Sequence, residues 1–85
     1  MSSEPFELFN VLADAASAKV RRYVTDHELL AAVRFRNLTY EEVQADFKAR
    51  GGTTPPALWD GKVLHTGAEA CIARLDAYRD VGRAE

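Results

Sequence analysis

The side chains able to do chemistry are few and far apart. The chain of 85 residues carries one thiol, Cys71, and two imidazoles, His27 and His65. These three form no recognisable zinc set, and a single cysteine cannot close a disulfide within the chain. Cys71 falls on the apolar stripe of an expected helix, where a thiol acts as a small buried hydrophobe and is inert. His65 ends an expected strand and reads as a surface residue. Asp14-Ala15-Ala16-Ser17 puts a carboxylate and a hydroxyl three residues apart at a helix start. A carboxylate there serves first as an N-cap for the first-turn amides. An unactivated hydroxyl is a poor nucleophile. Thr66-Gly67-Ala68-Glu69 reads as a reciprocal capping box. Its helix-start amides are also of the kind that hold a carboxylate.

Hydrophobic periodicity supplies the elements that position these residues. Phe6 to Val11 alternates apolar and polar side chains, the period of a strand. Leu12 to Val24 is alanine-rich, with Ala16, Val20, Tyr23 and Val24 on one helical stripe. Ala32-Val33-Arg34-Phe35-Arg36 returns to period two, with Val33 and Phe35 inward and both arginines on a solvated face. Thr39-Tyr40-Glu41-Glu42 is a capping box that opens a second helix, with Tyr40, Val43 and Phe47 as its stripe. Gly51-Gly52 ends that helix. Ala57-Leu58-Trp59 and Lys62-Val63-Leu64-His65 flank Asp60-Gly61, a strong hairpin signal. The last helix has Ala68, Cys71, Ile72, Leu75 and Tyr78 on its stripe and ends at Val81-Gly82.

The expected order is β-α-β-α-β-β-α. The first three elements form a right-handed crossover between parallel strands, and the hairpin adds two antiparallel strands. The expected fold is an α/β, four-stranded mixed sheet with helices on both faces. Residues 1–5 read as a flexible tail, 6–81 as one domain and 82–85 as a frayed end. Eleven basic and thirteen acidic residues leave a net charge of −2, which gives no general attraction for nucleic acid or anionic membrane. No apolar run is long enough to span a membrane, the N-terminus does not read as a signal peptide, and the single thiol suggests a reducing, cytoplasmic setting.

From Phe6 to about Tyr78 this order resembles the thioredoxin fold in its smallest version, that of glutaredoxins and the N-terminal domains of glutathione transferases. Thr53-Thr54-Pro55, Asp60-Gly61 and Thr66-Gly67 carry the resemblance. Their spacing is similar to the glutaredoxin pattern of Thr-x-Pro, a turn ending in glycine, and a Gly-Gly start to the last helix. The resemblance implies a cis-proline before the third strand. Spacing to the turn favours Pro55, whereas a transferase-like Pro-x-Leu pattern, Pro56-Ala57-Leu58, favours Pro56; both stay open. Cis X–Pro bonds cost only about 0.5–1 kcal/mol, and one here leaves the preceding backbone free to pair with an extended ligand.

The chain departs from the family where thiol chemistry is done. Asp14-Ala15-Ala16-Ser17 stands where redox members carry Cys-x-x-Cys or Cys-x-x-Ser, and Val11 stands where glutaredoxins often carry a basic residue. The resemblance therefore implies a redox-inactive binding module without a cofactor of its own. It implies a protein or peptide partner at a groove of Asp14, Ser17, Thr54, Pro55, Pro56, Thr66, Gly67 and Glu69. The alternative is a glutathione-dependent protein whose thiol comes from the ligand. Glu69 lies one position from the acidic residue of the glutaredoxin Gly-Gly-x-Asp segment, which holds the γ-glutamyl end. Ser17 activates such a thiol only if its hydroxyl faces the cis-proline. Fold alone decides neither reading.

Overall fold

The computed structural model describes residues 6–83. The tail expected at 1–5, and positions 84 and 85 of the expected frayed end, lie outside the described residues. Seven elements follow one another: β1 (Phe6–Asn10), α1 (Ala15–Asp26), β2 (Val33–Asn37), α2 (Glu41–Ala49), β3 (Ala57–Trp59), β4 (Leu64–Thr66) and α3 (Ala68–Arg83). The expected element order holds. Val81-Gly82 does not end the last helix, which continues to Arg83.

The strands form one sheet in the order β2-β1-β3-β4. β1 pairs parallel with β2, Phe6 opposite Val33. It pairs antiparallel with β3, Leu8 opposite Leu58. β3 pairs antiparallel with β4, Trp59 opposite Leu64. The result is an α/β fold with a mixed sheet, one parallel pair and three helices.

Successive strand residues point to opposite faces, and each face has its own core. Phe6, Leu8, Val33 and Leu58 pack with Val20 and Val24 of α1 and with Cys71 and Leu75 of α3. Phe9 and Ala57 pack with Leu38 and with Val43 and Phe47 of α2. The central strand is therefore covered on both sides. Phe6, Leu8, Phe9, Leu58 and Leu75 are all fully buried, each contributing roughly 1.5–3 kcal/mol by leaving water. Double coverage also explains why strict alternation fails at the end of β1, where Phe9 and Asn10 are both buried.

β2 departs most from expectation. Val33 is buried, but Phe35 is 40% exposed. Arg36, expected outward, is drawn in: its guanidinium donates to Glu7 and, at 2.8 Å, to Asp46. Glu7 sits half-buried on the central strand and takes Arg50 as well, at 3.0 Å. A carboxylate there requires cations, and Arg36 and Arg50 supply them while stacking over Phe9. The capping box at Thr39 is also overturned. The cap position is Tyr40, whose side chain makes no capping bond and is exposed. The Thr39 amide instead donates to the Asn37 side chain at 2.9 Å, an Asx turn.

The hairpin turns over four residues and not two. The Asp60 carboxylate accepts the amides of Lys62 and Val63, each at 2.9 Å, so those residues belong to the loop. Gly61 takes the left-handed conformation, φ +99°, that the turn needs. No helix among the described residues is long and apolar enough to cross a membrane.

Candidate functional site

Register brings three segments to one end of the sheet. Phe9 lies opposite Ala57, and Ala57 opposite Thr66. The loop that leaves β1, the segment 53–56 that enters β3 and the turn that leaves β4 are therefore neighbours. The Gly67 amide donates to the Pro56 carbonyl at 2.8 Å, adding one bond beyond the ladder. The Pro55–Pro56 peptide bond is cis. Pro56 is buried, Pro55 half-buried, and Thr53 and Thr54 are exposed. Among the described residues no hydrogen bond engages the Thr54 N–H or C=O.

The β1–α1 loop is held from within. Asp14 is the N-cap of α1, and its carboxylate accepts the Ser17 amide at 2.8 Å. The Ser17 hydroxyl accepts the Val11 amide at 3.1 Å, and Ser17 is fully buried. Its oxygen thus serves the chain's own backbone and offers no surface to a ligand. Arg21, one turn further along α1, donates to the Asn10 side chain at 3.2 Å and to the carbonyls of Val11 and Leu12 at 3.3 and 3.1 Å. Asn10 is itself buried and donates to the carbonyls of Leu8 and Arg36. This braced loop carries Leu12 with 63% of its surface exposed.

At the third segment the capping box does not form as expected. Thr66 is the exposed last residue of β4. Gly67, at φ +96°, turns the chain, and its carbonyl accepts the Cys71 amide at 3.0 Å. The capping position is therefore Gly67. Glu69 is exposed in the first turn of α3. Of the residues singled out in the sequence, Asp14 with Ser17 and Pro56 with Gly67 are joined by hydrogen bonds. Thr54, Pro55, Thr66 and Glu69 share the same end of the sheet.

Cys71 is fully buried, its sulfur donating to the His65 carbonyl at 3.4 Å. Burial pushes the thiol up to about 12. Among the described residues no group of three or more His, Cys, Asp or Glu is placed to hold a metal ion. A shallow depression of about 270 Å³, lined by Ala15, Ala18, Lys19 and Arg22, lies along α1.

Two further polar clusters lie outside the sequence reading. One is Asn10 with Arg21. The only signal for it was the polar Asn10 following the apolar Leu8 and Phe9 at the end of β1. The other lies at the far end of β3, where Asp60 accepts from His65 at 2.9 Å and from Arg74 at 3.3 Å. His65 is thus half-buried and engaged, unlike the surface residue expected. Burial pushes the Asp60 carboxyl up, but hydrogen bonds from His65, from the amides of Val63 and Lys62 and from Arg74 outweigh it. They hold the group well below the usual carboxylate range.

Compared with known proteins, the chain matches no family model and no curated protein.

Proposed function

We propose that the chain is a thioredoxin-like binding module, redox-inactive, that takes an extended peptide of a partner protein along Thr54 at the entrance to β3. The observation that carries this reading is the unengaged N–H and C=O of an exposed Thr54, beside a loop braced by Asp14, Ser17 and Arg21. A free donor and acceptor on the exposed segment that leads into β3 give an incoming strand two backbone bonds. The exposed Leu12 and the half-buried Pro55 add apolar surface for its side chains. The absence of sulfur at positions 11–17 and the burial of Cys71 support binding without thiol exchange.

The test is selection from a random peptide library, followed by mapping the best peptide on the ¹⁵N-labelled protein. Amides of Leu12, Thr53 and Thr54 should move together, and Thr54→Pro, which removes the donor, should abolish binding. Peptides that bind while those three amides stay still end the reading. Glutathione is the competing ligand. Its expected seat at the start of α3 is reduced by one amide, because Gly67 already donates to Pro56. Shifts at Ala68 and Glu69 with millimolar glutathione, and none at Thr54, would decide for it.

A further inference from the structure

β2 forms one edge of the sheet. Among the described residues its single neighbour is β1. The Phe6 amide donates to the Ala32 carbonyl at 3.1 Å and the Leu38 amide to the Asn10 carbonyl at 2.9 Å. With Phe6 opposite Val33 and Asn10 opposite Asn37, the parallel ladder turns the main chain of Arg34 and Arg36 toward β1. The main chain of Val33, Phe35 and Asn37 then faces the open side. Those three residues present three N–H and three C=O groups. Two are bonded locally: the Val33 amide donates to the Leu29 carbonyl at 3.1 Å, and the Asn37 carbonyl accepts the Tyr40 amide at 3.3 Å. Four remain in register for a new strand, namely the Val33 C=O, the Phe35 N–H and C=O, and the Asn37 N–H.

Native sheets blunt such edges with bulges, covers or charge. Here the register runs unbroken over five residues, and Phe35 is 40% exposed at its middle. The charge present is Arg34, exposed and in no ion pair among the described residues. The nearby Asp46 is bonded to Arg36, and Arg34 adds only a through-space pull on it. Arg34 and Phe35 point to opposite faces. An antiparallel second copy centred on Phe35 would set Arg34 beside another Arg36, cation against cation. A strand with an acidic residue beside Arg34 and an apolar neighbour beside Phe35 satisfies both faces.

We infer that the β2 edge accepts an extended acidic segment of a partner protein, paired through Val33, Phe35 and Asn37 and selected by Arg34. The probe is acetyl-Thr-Val-Glu-Val-Thr-amide, titrated to millimolar concentration into the ¹⁵N-labelled full chain, with the lysine-for-glutamate peptide as control. The Phe35 and Asn37 amides should shift. The lysine peptide should bind about fivefold more weakly, as an opposite-charge cross-strand pair is replaced by a like-charge one. Arg34→Glu, an exposed change whose own spectrum reports its fold, should invert that order. Shifts confined to Thr53 and Thr54, or none at Phe35 and Asn37, overturn the inference. So does a Phe35 amide protected in a concentration-dependent way without peptide, because a second copy then occupies the edge. A failure at β2 leaves the Thr54 reading standing, since the two sites report through different amides.

Discussion

The guanidinium of Arg21 donates to the side-chain oxygen of Asn10 at 3.2 Å, tying α1 to the last residue of the central strand. The same guanidinium reaches the carbonyls of Val11 and Leu12. One side chain thus fixes where β1 ends and how the following loop leaves it. Removing it would strand a buried amide oxygen, and a hydrogen bond lost from a charged donor costs about 1.5–3 kcal/mol. Arg21→Ala should lower the unfolding free energy by about 2 kcal/mol in urea. Arg21→Lys should recover only part of this, because an ammonium lacks the fork that spans several acceptors. A variant within about 0.5 kcal/mol of the parent, the range of an ordinary surface change, would show that the brace carries no weight.

Ser17 and Asp14 should prove to be scaffold. Ser17→Ala leaves the Val11 amide without its partner inside the protein, an unsatisfied group worth about 1–3 kcal/mol. Asp14→Ala removes the cap of α1 and should lose about 0.5–2 kcal/mol. Thermal melts of both variants, set beside peptide binding by the survivors, separate structure from site. If Ser17→Ala melts like the parent yet no longer binds the selected peptide, Ser17 belongs to the site after all.

What could be read in advance follows how local its causes are. The spacing of Asp14 and Ser17 fits a helix start, and the two residues bond as that spacing implies. The stripe of α3 is equally local, and Cys71 and Leu75 are fully buried on it. Phe35 was misread because period two shows which residues share a face but not whether a helix covers that face. β2 is at the sheet edge, which only the strand order reveals. The Thr39 box had the right residue types, but the Asn37 side chain, two residues back, took the Thr39 amide. Asn10 and Arg21 are eleven positions apart and meet only because α1 packs on β1, so no window of sequence holds both causes. The end of the sheet where Thr54, Pro56 and Gly67 gather was legible through turn residues, which act locally.

The Asp60 cluster gives the fold a dependence on acid. A carboxyl whose folded value is depressed contributes stability that is present above its unfolded value and lost as pH falls through the folded one. Asp60 is depressed from an ordinary 3.8, so the stability it adds is complete at neutral pH and declines below about pH 4. Asp60→Asn keeps the shape but cannot accept from His65 and Arg74 as a charge. It should lose about 2 kcal/mol at pH 7, and the gap to the parent should close as pH drops toward 2. Urea midpoints of both proteins at stepped pH check this. A gap that stays constant with pH would remove the ionic part of the argument.

The two glycines closing α2 should respond differently to alanine. Gly51 has φ +85° with open space at the missing Cβ, so Gly51→Ala should lose only about 1–2 kcal/mol for the left-handed conformation. At Gly52 a Cβ would sit 2.3 Å from Phe47 Cδ1. Phe47 is buried and packed on Phe9, ring centroids 5.2 Å apart. Gly52→Ala must push a core ring aside, which costs about 1–3 kcal/mol or more. Chemical denaturation should therefore rank Gly52→Ala as the more damaging, and the opposite order would mean that the ring yields freely.

Cys71 should be nearly silent toward thiol reagents while the protein is folded. The thiolate is the reacting form, and burial raises the thiol from 9.0 to about 12. Each unit is a tenfold loss of thiolate at a given pH, so a shift of this size leaves about a thousandfold less, before any block on reagent entry by full burial. Labelling with iodoacetamide at pH 8 should proceed at least about a thousandfold slower in buffer than in denaturing urea. Its residual rate should track unfolding, rising in Gly52→Ala about tenfold for each 1.4 kcal/mol of stability that variant loses. Rapid native labelling would mean that α3 opens independently of the rest. The claim that this fold holds its one thiol out of reach of thiol exchange would then fall.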